Sequence, residues 1–128
     1  MSQPDGRRTA VRIEVRGKNV EVTEELREAV IQRFQRVGKQ VSDLAQLEVE
    51  LYEEKNPRIS DRMGAEATLY LKGVTLRAKE SSPDMLHSIH EMAEDIRRQV
   101  KKHREKRRKR TRTRKMMERL RGSQAAEL

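Results

Sequence analysis

The chain has 128 residues, a net charge of +9 at neutral pH, 40% charged residues and no cysteine. That length suits one domain with a modest core, and the lack of thiols excludes disulfides, thiolate catalysis and cysteine-built zinc sites. No apolar run approaches the roughly 18 residues that cross a bilayer, and the polar residues 1–12 lack the apolar core of a secretion signal, so a soluble, cytoplasmic protein is expected.

Residues 1–10 contain Pro4, Gly6 and two arginines and read as a flexible lead-in. Val11, Ile13 and Val15 then alternate with Arg12, Glu14 and Arg16, the two-residue period of a half-buried strand. Gly17 and Asn19 supply turn chemistry, and Thr23 with Glu24 and Glu25 behind it offers an N-cap and first-turn anions. Leu26, Val30, Phe34, Val37 and Val41 recur at helical spacing, which predicts an amphipathic helix over about 23–40 that ends near Gly38. Leu47, Val49 and Leu51 mark a second strand. Residues 53–64, with Asn56, Pro57 and Gly64, mark a loop. Ala65, Ala67, Leu69 and Leu71 make a third strand, and Lys72-Gly73 turns it into a fourth through Val74, Leu76 and Ala78. Ser81 or Ser82 as cap, Pro83 at the first helical position and Asp84 in the first turn open a second helix. Its apolar stripe is Met85, Ile89, Met92, Ile96 and Val100.

The order β-α-β-β-β-α, with one apolar stripe per helix, predicts an α+β two-layer sandwich: a four-stranded sheet, its first pair parallel, with both helices on one face. Residues 11–104 form the domain. Residues 105–128 lack a stripe and are expected to be a disordered, basic arm.

Charge is divided sharply along the chain. Residues 101–121 hold thirteen Lys/Arg against two acids, a net of +11, whereas residues 1–100 carry 17 basic and 18 acidic groups. Such an arm is best stabilised on a polyanion, where it releases condensed counterions. Candidate phosphate contacts are Arg27, Arg33, Arg36 and Lys39 on the first helix and Arg97, Arg98, Lys101, Lys102 and Arg104 late in the second. Lys106, Arg107, Arg108, Lys109 and Arg110 continue them into the arm. Cations in the last turns of a helix also suit its dipole, which is the rival explanation for the second set. Only Phe34, Tyr52 and Tyr70 are aromatic, too few for base-stacking platforms, so backbone-directed binding to structured RNA is favoured.

Enzymatic readings find little footing. His87, His90 and His103 fall on a single helix, which leaves neither a metal cluster nor an acid–base pair across a cleft, and no nucleophile elbow or phosphate-binding glycine loop is present. No cofactor, metal or small-molecule substrate is expected.

Several runs carry a resemblance: Gly17-Lys18-Asn19-Val20-Glu21-Val22-Thr23, Glu54-Lys55-Asn56, Ala65-Glu66-Ala67-Thr68-Leu69, Asp84-Met85 and Arg97-Arg98-Gln99-Val100-Lys101-Lys102. In their order and spacing over about residues 10–105 the chain resembles the ribosome hibernation-promoting factors, also called ribosome-associated inhibitor A or Y proteins. The resemblance implies a fold related to double-stranded-RNA-binding domains. It also implies a non-enzymatic inhibitor that binds the small ribosomal subunit and 70S ribosome, contacts 16S-type rRNA and occupies the mRNA and tRNA channel. It adds Lys55 as a lesser RNA contact. Leu86 and His90 depart from the pattern, where Tyr and an acid are common among relatives. Ending at Leu128, the chain matches the short form without a dimerisation domain, and a monomer when free is expected. The alternative is a general double-stranded-RNA or nucleoid-binding module, with an RNase as a distant third.

Overall fold

The computed structural model describes residues 12–38, 41 and 45–127. Strand β1 (Arg12–Lys18) leads into helix α1 (Glu24–Gly38), followed by β2 (Gln46–Glu53), β3 (Met63–Leu71), β4 (Val74–Ser82) and helix α2 (Met85–Glu127). The strands form one sheet in chain order, β1 and β2 parallel, the later pairs antiparallel. This is the α+β sandwich that the residue pattern predicts.

Register turns the alternation into a core. Val15, Val49, Ala67 and Ala78 align across all four strands, and Leu47 pairs with Leu69. All six are buried. Strand side chains alternate between faces, so this row and its neighbours Leu51 and Ala65 share one side of the sheet. Both helices cover that side. Val30, Phe34 and Val37 of α1 and Met85, Ile89, Met92, Ile96 and Val100 of α2 are buried against it, each large apolar side chain contributing about 1.5–3 kcal/mol. Small residues under α2, Ala65, Ala67 and Ala78, let the long helix approach β3 and β4 closely.

Tight turns fall where the residue types allow. Asn19 (φ 61°) and Gly73 (φ 84°) are left-handed, the conformation that Asn and Gly adopt at least cost.

Two expectations are corrected. Strand β4 continues through Ser82, so neither serine caps α2. Asp84 does, its Oδ2 accepting the His87 N–H at 3.0 Å, while Ser82 Oγ accepts the Asp84 N–H at 3.2 Å. The second correction is larger. Residues 105–127, expected to be disordered, continue α2 as one 43-residue helix. Nucleation is the costly step of helix formation, and here the buried stripe from Met85 to Val100 has already met it. Beyond it the chain has no proline and no glycine before Gly122, and Lys, Arg, Met and Leu are all good helix formers. Val11 and the lead-in 1–10 lie outside the described residues.

Candidate nucleic-acid interface

Helix α1 starts where Thr23 Oγ1 accepts the Leu26 N–H at 3.2 Å, which fixes the phase of the turns behind it. With Val30, Phe34 and Val37 turned inward, Arg27, Arg33 and Arg36 are exposed. Lys39 lies outside the described residues.

Helix α2 is pinned at two points. Buried Ser88 donates from Oγ to the Met63 carbonyl at 2.7 Å and shares a 2.7 Å hydrogen bond with Ser82 Oγ. Eleven residues on, Gln99 Nε2 donates to the Arg77 carbonyl on β4 at 2.7 Å and to Asp95 Oδ1 at 3.1 Å. These ties set the rotation of the helix, so Arg98, Lys101 and Lys102 are exposed and Arg104 is half-buried. Arg97 is exposed but committed: its Nε and Nη2 donate to Glu94 Oε1 at 3.2 and 3.0 Å. That hydrogen bond, more than the neighbouring charges of Arg97, His90 and Arg98, holds the Glu94 carboxyl below the usual carboxylate range despite the opposing effect of burial.

Topology sorts the candidates by end. A helix joining two parallel strands in register must run back along the sheet, so α1 starts at the Lys18 end and finishes near the start of β2. Helix α2 starts at the same end, beside Met63 and Ser82, and runs the same way. The late residues of both helices therefore share one end: Arg33 and Arg36 from α1, and Arg98, Lys101 and Lys102 from α2. Arg27 and Lys55 belong towards the other end. Lys55 is exposed on the β2–β3 loop with Arg58. The loop is ordered by Glu54 N–H donating to the Arg62 carbonyl at 2.7 Å and Arg58 N–H donating to Asn56 Oδ1 at 3.0 Å.

Because α2 does not end near Arg104, the cations from Arg97 to Arg104 sit in mid-helix, far from the terminal carbonyls. The helix dipole, felt only within the last turn, does not explain them. Past Arg104, Lys106, Arg107, Arg108, Lys109 and Arg110 are all exposed, and residues 105–127 extend about 34 Å at 1.5 Å per residue. A shallow open groove on this rod is lined by Arg107, Arg108, Thr111 and Arg112. Arg112 belongs with the candidates although the sequence reading stops at Arg110; the signal that finds it is its spacing four residues after Arg108, one helical turn.

The opposite face of the sheet is different in kind. Glu14 pairs with Glu48 and Glu50 with Glu66 across neighbouring strands, with Arg16 and Lys79 at the two ends of the second row. Its aromatics are engaged: Tyr70 donates to Glu48 Oε1 at 3.2 Å, and Tyr52 lies against Gly64 with Lys79 Nζ 5.5 Å from its ring centre. Among the described residues no group of three or more His, Asp or Glu could hold a metal ion, and no helix is long and apolar enough to cross a membrane. Of the two positions that depart from the hibernation-factor pattern, Leu86 is exposed and His90 half-buried.

Comparison with known proteins agrees with this architecture. A ribosome hibernation promotion factor of Picosynechococcus sp. is 33% identical over 93 residues, 72% of this chain and 48% of that protein. One from Lactococcus lactis is 34% identical over 97 residues, 73% of this chain and 49% of that protein. The chain thus spans about half the length of these two relatives. The ribosome hibernation promoting factor of Escherichia coli is 32% identical over 96 residues, 75% of this chain and 96% of that protein. Among solved structures, a ribosomal subunit interface protein from Coxiella burnetii superposes with a TM-score of 0.62 at 20% identity, covering 73% of this chain and 97% of that one. The N-terminal domain of Thermus thermophilus Protein Y gives 0.61 at 22% identity, covering 70% of this chain and 94% of that one; both show the shared fold. Residues 13–108, from β1 into the first turn of the arm, match the family described as Sigma 54 modulation protein / S30EA ribosomal protein, and the chain belongs to that family.

Proposed function

We propose that this protein is a ribosome-binding translation inhibitor of the hibernation type, which occupies the mRNA and tRNA channel of the small subunit through contacts to rRNA. The observation that carries this reading is the gathering of exposed cations at one end of the helical layer, continued along the same helix by the arm. Arg33, Arg36, Arg98, Lys101 and Lys102 supply the domain's contacts, and Lys106, Arg107, Arg108, Lys109, Arg110 and Arg112 the arm's. Arg97 contributes less because Glu94 already neutralises it, and Arg27 and Lys55 make separate contacts from the other end.

The chemistry is phosphate-directed. Phe34 is buried and both tyrosines lie on the far side of the sheet with partners there, so the helical layer presents no phenylalanine or tyrosine ring on which a base could stack. Guanidinium and ammonium groups instead pair with phosphates and position the protein. Specificity for the ribosome then rests on the shape of the folded RNA. The partners are the small subunit and the 70S ribosome, the free protein is a monomer in the cytoplasm, and inhibition is by occupancy, without catalysis. The names of the relatives support the hibernation reading. A second reading, a general duplex-RNA or nucleoid-binding module, is favoured by the same absence of base-reading side chains.

Translation in a purified extract separates these. Inhibition should saturate near one protein per ribosome, the protein should sediment with 30S and 70S particles, and activity should return after a high-salt wash with fresh mRNA and tRNA. Arg98→Glu with Lys102→Glu should abolish inhibition, while Glu48→Gln with Glu50→Gln on the far face should preserve it. Sedimentation with free RNA instead of ribosomes would establish the second reading, and irreversible loss at catalytic amounts would mean an RNase.

A further inference from the structure

Two hydroxyls interrupt the arm's run of cations. Thr111 and Thr113 are its only hydroxyl residues between 101 and 122, and both are β-branched, a type that costs a few tenths of a kcal/mol in a helix relative to Lys or Arg. Each has arginines three residues and one residue before it: Arg108 and Arg110 for Thr111, Arg110 and Arg112 for Thr113. Thr111 is also the only residue from 105 to 122 that is half-buried, the others being exposed. It lies in the groove with Arg107 and Arg108, one turn back on its own face, and Arg112 beside it.

We propose that Thr111, with Thr113 as a second acceptor, is a phosphorylation site for an arginine-directed protein kinase, and that the phosphate it receives releases the arm from RNA. This regulation rests on the reading of the arm as a phosphate-binding element. In the transfer Thr111 Oγ attacks the γ-phosphorus of a nucleoside triphosphate, and the bond from that phosphorus to the bridging oxygen breaks. The nucleoside diphosphate departs and the hydroxyl proton passes to the kinase's base. Recognition is a matter of charge pattern, since arginines at fixed offsets before an acceptor suit an acidic substrate groove. Access is cheap: among the described residues nothing covers the arm from 105 to 122, and unsupported helical turns open locally at low cost.

The consequence follows from the groove. A phosphothreonine carries about −1.5 to −2 charges and three acceptor oxygens. At Thr111 it is held by Arg107, Arg108 and Arg112, which then no longer meet an RNA phosphate. With both threonines modified, the +11 of residues 101–121 falls by about 3 to 4. The modification thus fills intramolecularly the site that the nucleic acid would fill.

The test uses the full chain, an arginine-directed kinase with ATP, and a duplex RNA long enough to span the arm. Tandem mass spectrometry should place phosphate on Thr111 and Thr113 ahead of every other hydroxyl. Chain carrying phosphothreonine at 111 should bind the duplex more weakly, on the order of tenfold or more at 0.1 M salt, with the log–log salt slope flattened by up to about 2.7, about 0.9 for each of the three arginines withdrawn. The Thr111→Val, Thr113→Val chain should keep its own slope through the same treatment. Modification directed mainly elsewhere, or an unchanged slope with phosphothreonine at 111, would overturn the proposal. Failure of the unmodified chain to bind ribosomes would count instead against the functional reading, because the mass spectrum reports the acceptor independently.

Discussion

Gly17 and Gly64 stand at two close approaches of different stiffness. A methyl group at Gly17 would lie 2.3 Å from the Val20 carbonyl oxygen, and at Gly64 it would lie 2.0 Å from Cζ of Tyr52. The first obstacle is backbone, held in the turn where Asn19 is left-handed; the second is the far end of a half-exposed ring, which can swing aside. Gly17→Ala should therefore destabilise by about 2–3 kcal/mol and Gly64→Ala by about 1 kcal/mol, measured by urea unfolding. Equal costs would mean that Tyr52 is as rigid as the backbone. Ser88→Ala removes the donor to the Met63 carbonyl from a fully buried site and should cost about 1–3 kcal/mol, with the thermal midpoint as readout. Glu94 gives a pH signature. Its carboxyl is lowered by Arg97, so the pair stabilises the fold above the ordinary carboxylate pKa, and that contribution disappears as pH falls through the lowered value. Glu94→Gln should lose at most about 0.5 kcal/mol at neutral pH, because the pair is partly exposed and screened, and should match the parent in acid.

At the scale of the element, α2 combines two helices of different origin. From Met85 to Val100 it is held by tertiary burial; beyond Glu105, among the described residues, it has only its own hydrogen bonds and intrinsic propensity. Like charges four residues apart work against it there: Lys102 with Lys106, Arg104 with Arg108, Lys106 with Arg110, Arg108 with Arg112, Arg110 with Arg114 and Lys115 with Arg119. Each pair costs about 0.2–0.5 kcal/mol, offset in part by Lys101 with Glu105, Glu105 with Lys109 and Arg114 with Glu118. The arm's helicity should consequently increase with salt and with RNA. The difference in circular dichroism at 222 nm between the full chain and a chain ending at Arg104 should grow from low to high ionic strength. A salt-independent difference would mean that propensity outweighs repulsion outright.

For the whole molecule, the consequence is a division between fold and affinity. The last buried residue of the stripe is Val100, so removing residues 105–128 should leave urea unfolding of the domain within about 0.5 kcal/mol of the full chain. Ribosome binding should weaken and lose salt dependence, the slope falling by about 0.7 to 0.9 for each phosphate contact removed. An unchanged slope would make the arm a solvated rod with no part in binding.

The elements themselves are legible in the residues because burial imposes a period. Val11 through Val15, Leu47 through Leu51 and Ala65 through Leu71 alternate, and Leu26 through Val37 and Met85 through Val100 recur each turn; a two-layer fold offers one face per element, so these patterns determine the sheet, both helices and their shared side. Charge likewise marks the arm without any coordinates. What the residues leave open are matters of continuation and orientation. Ser82, Pro83 and Asp84 all suit a helix start, and only pairing with Met63, which extends β4 through Ser82, makes Asp84 the cap. Whether residues 105–127 are helical depends on a nucleus supplied by the core some distance upstream, which local composition does not reveal. The gathering of Arg33, Arg36, Arg98, Lys101 and Lys102 at one end follows from the parallel course of α1 and α2, and the pairing of Arg97 with Glu94 from the rotation that Ser88 and Gln99 impose on α2. Sequence alone determined most of the apolar core and where the charge lies; tertiary structure decided that Ser88 is buried and which cations lie together, because only packing fixes the direction and rotation of a helix.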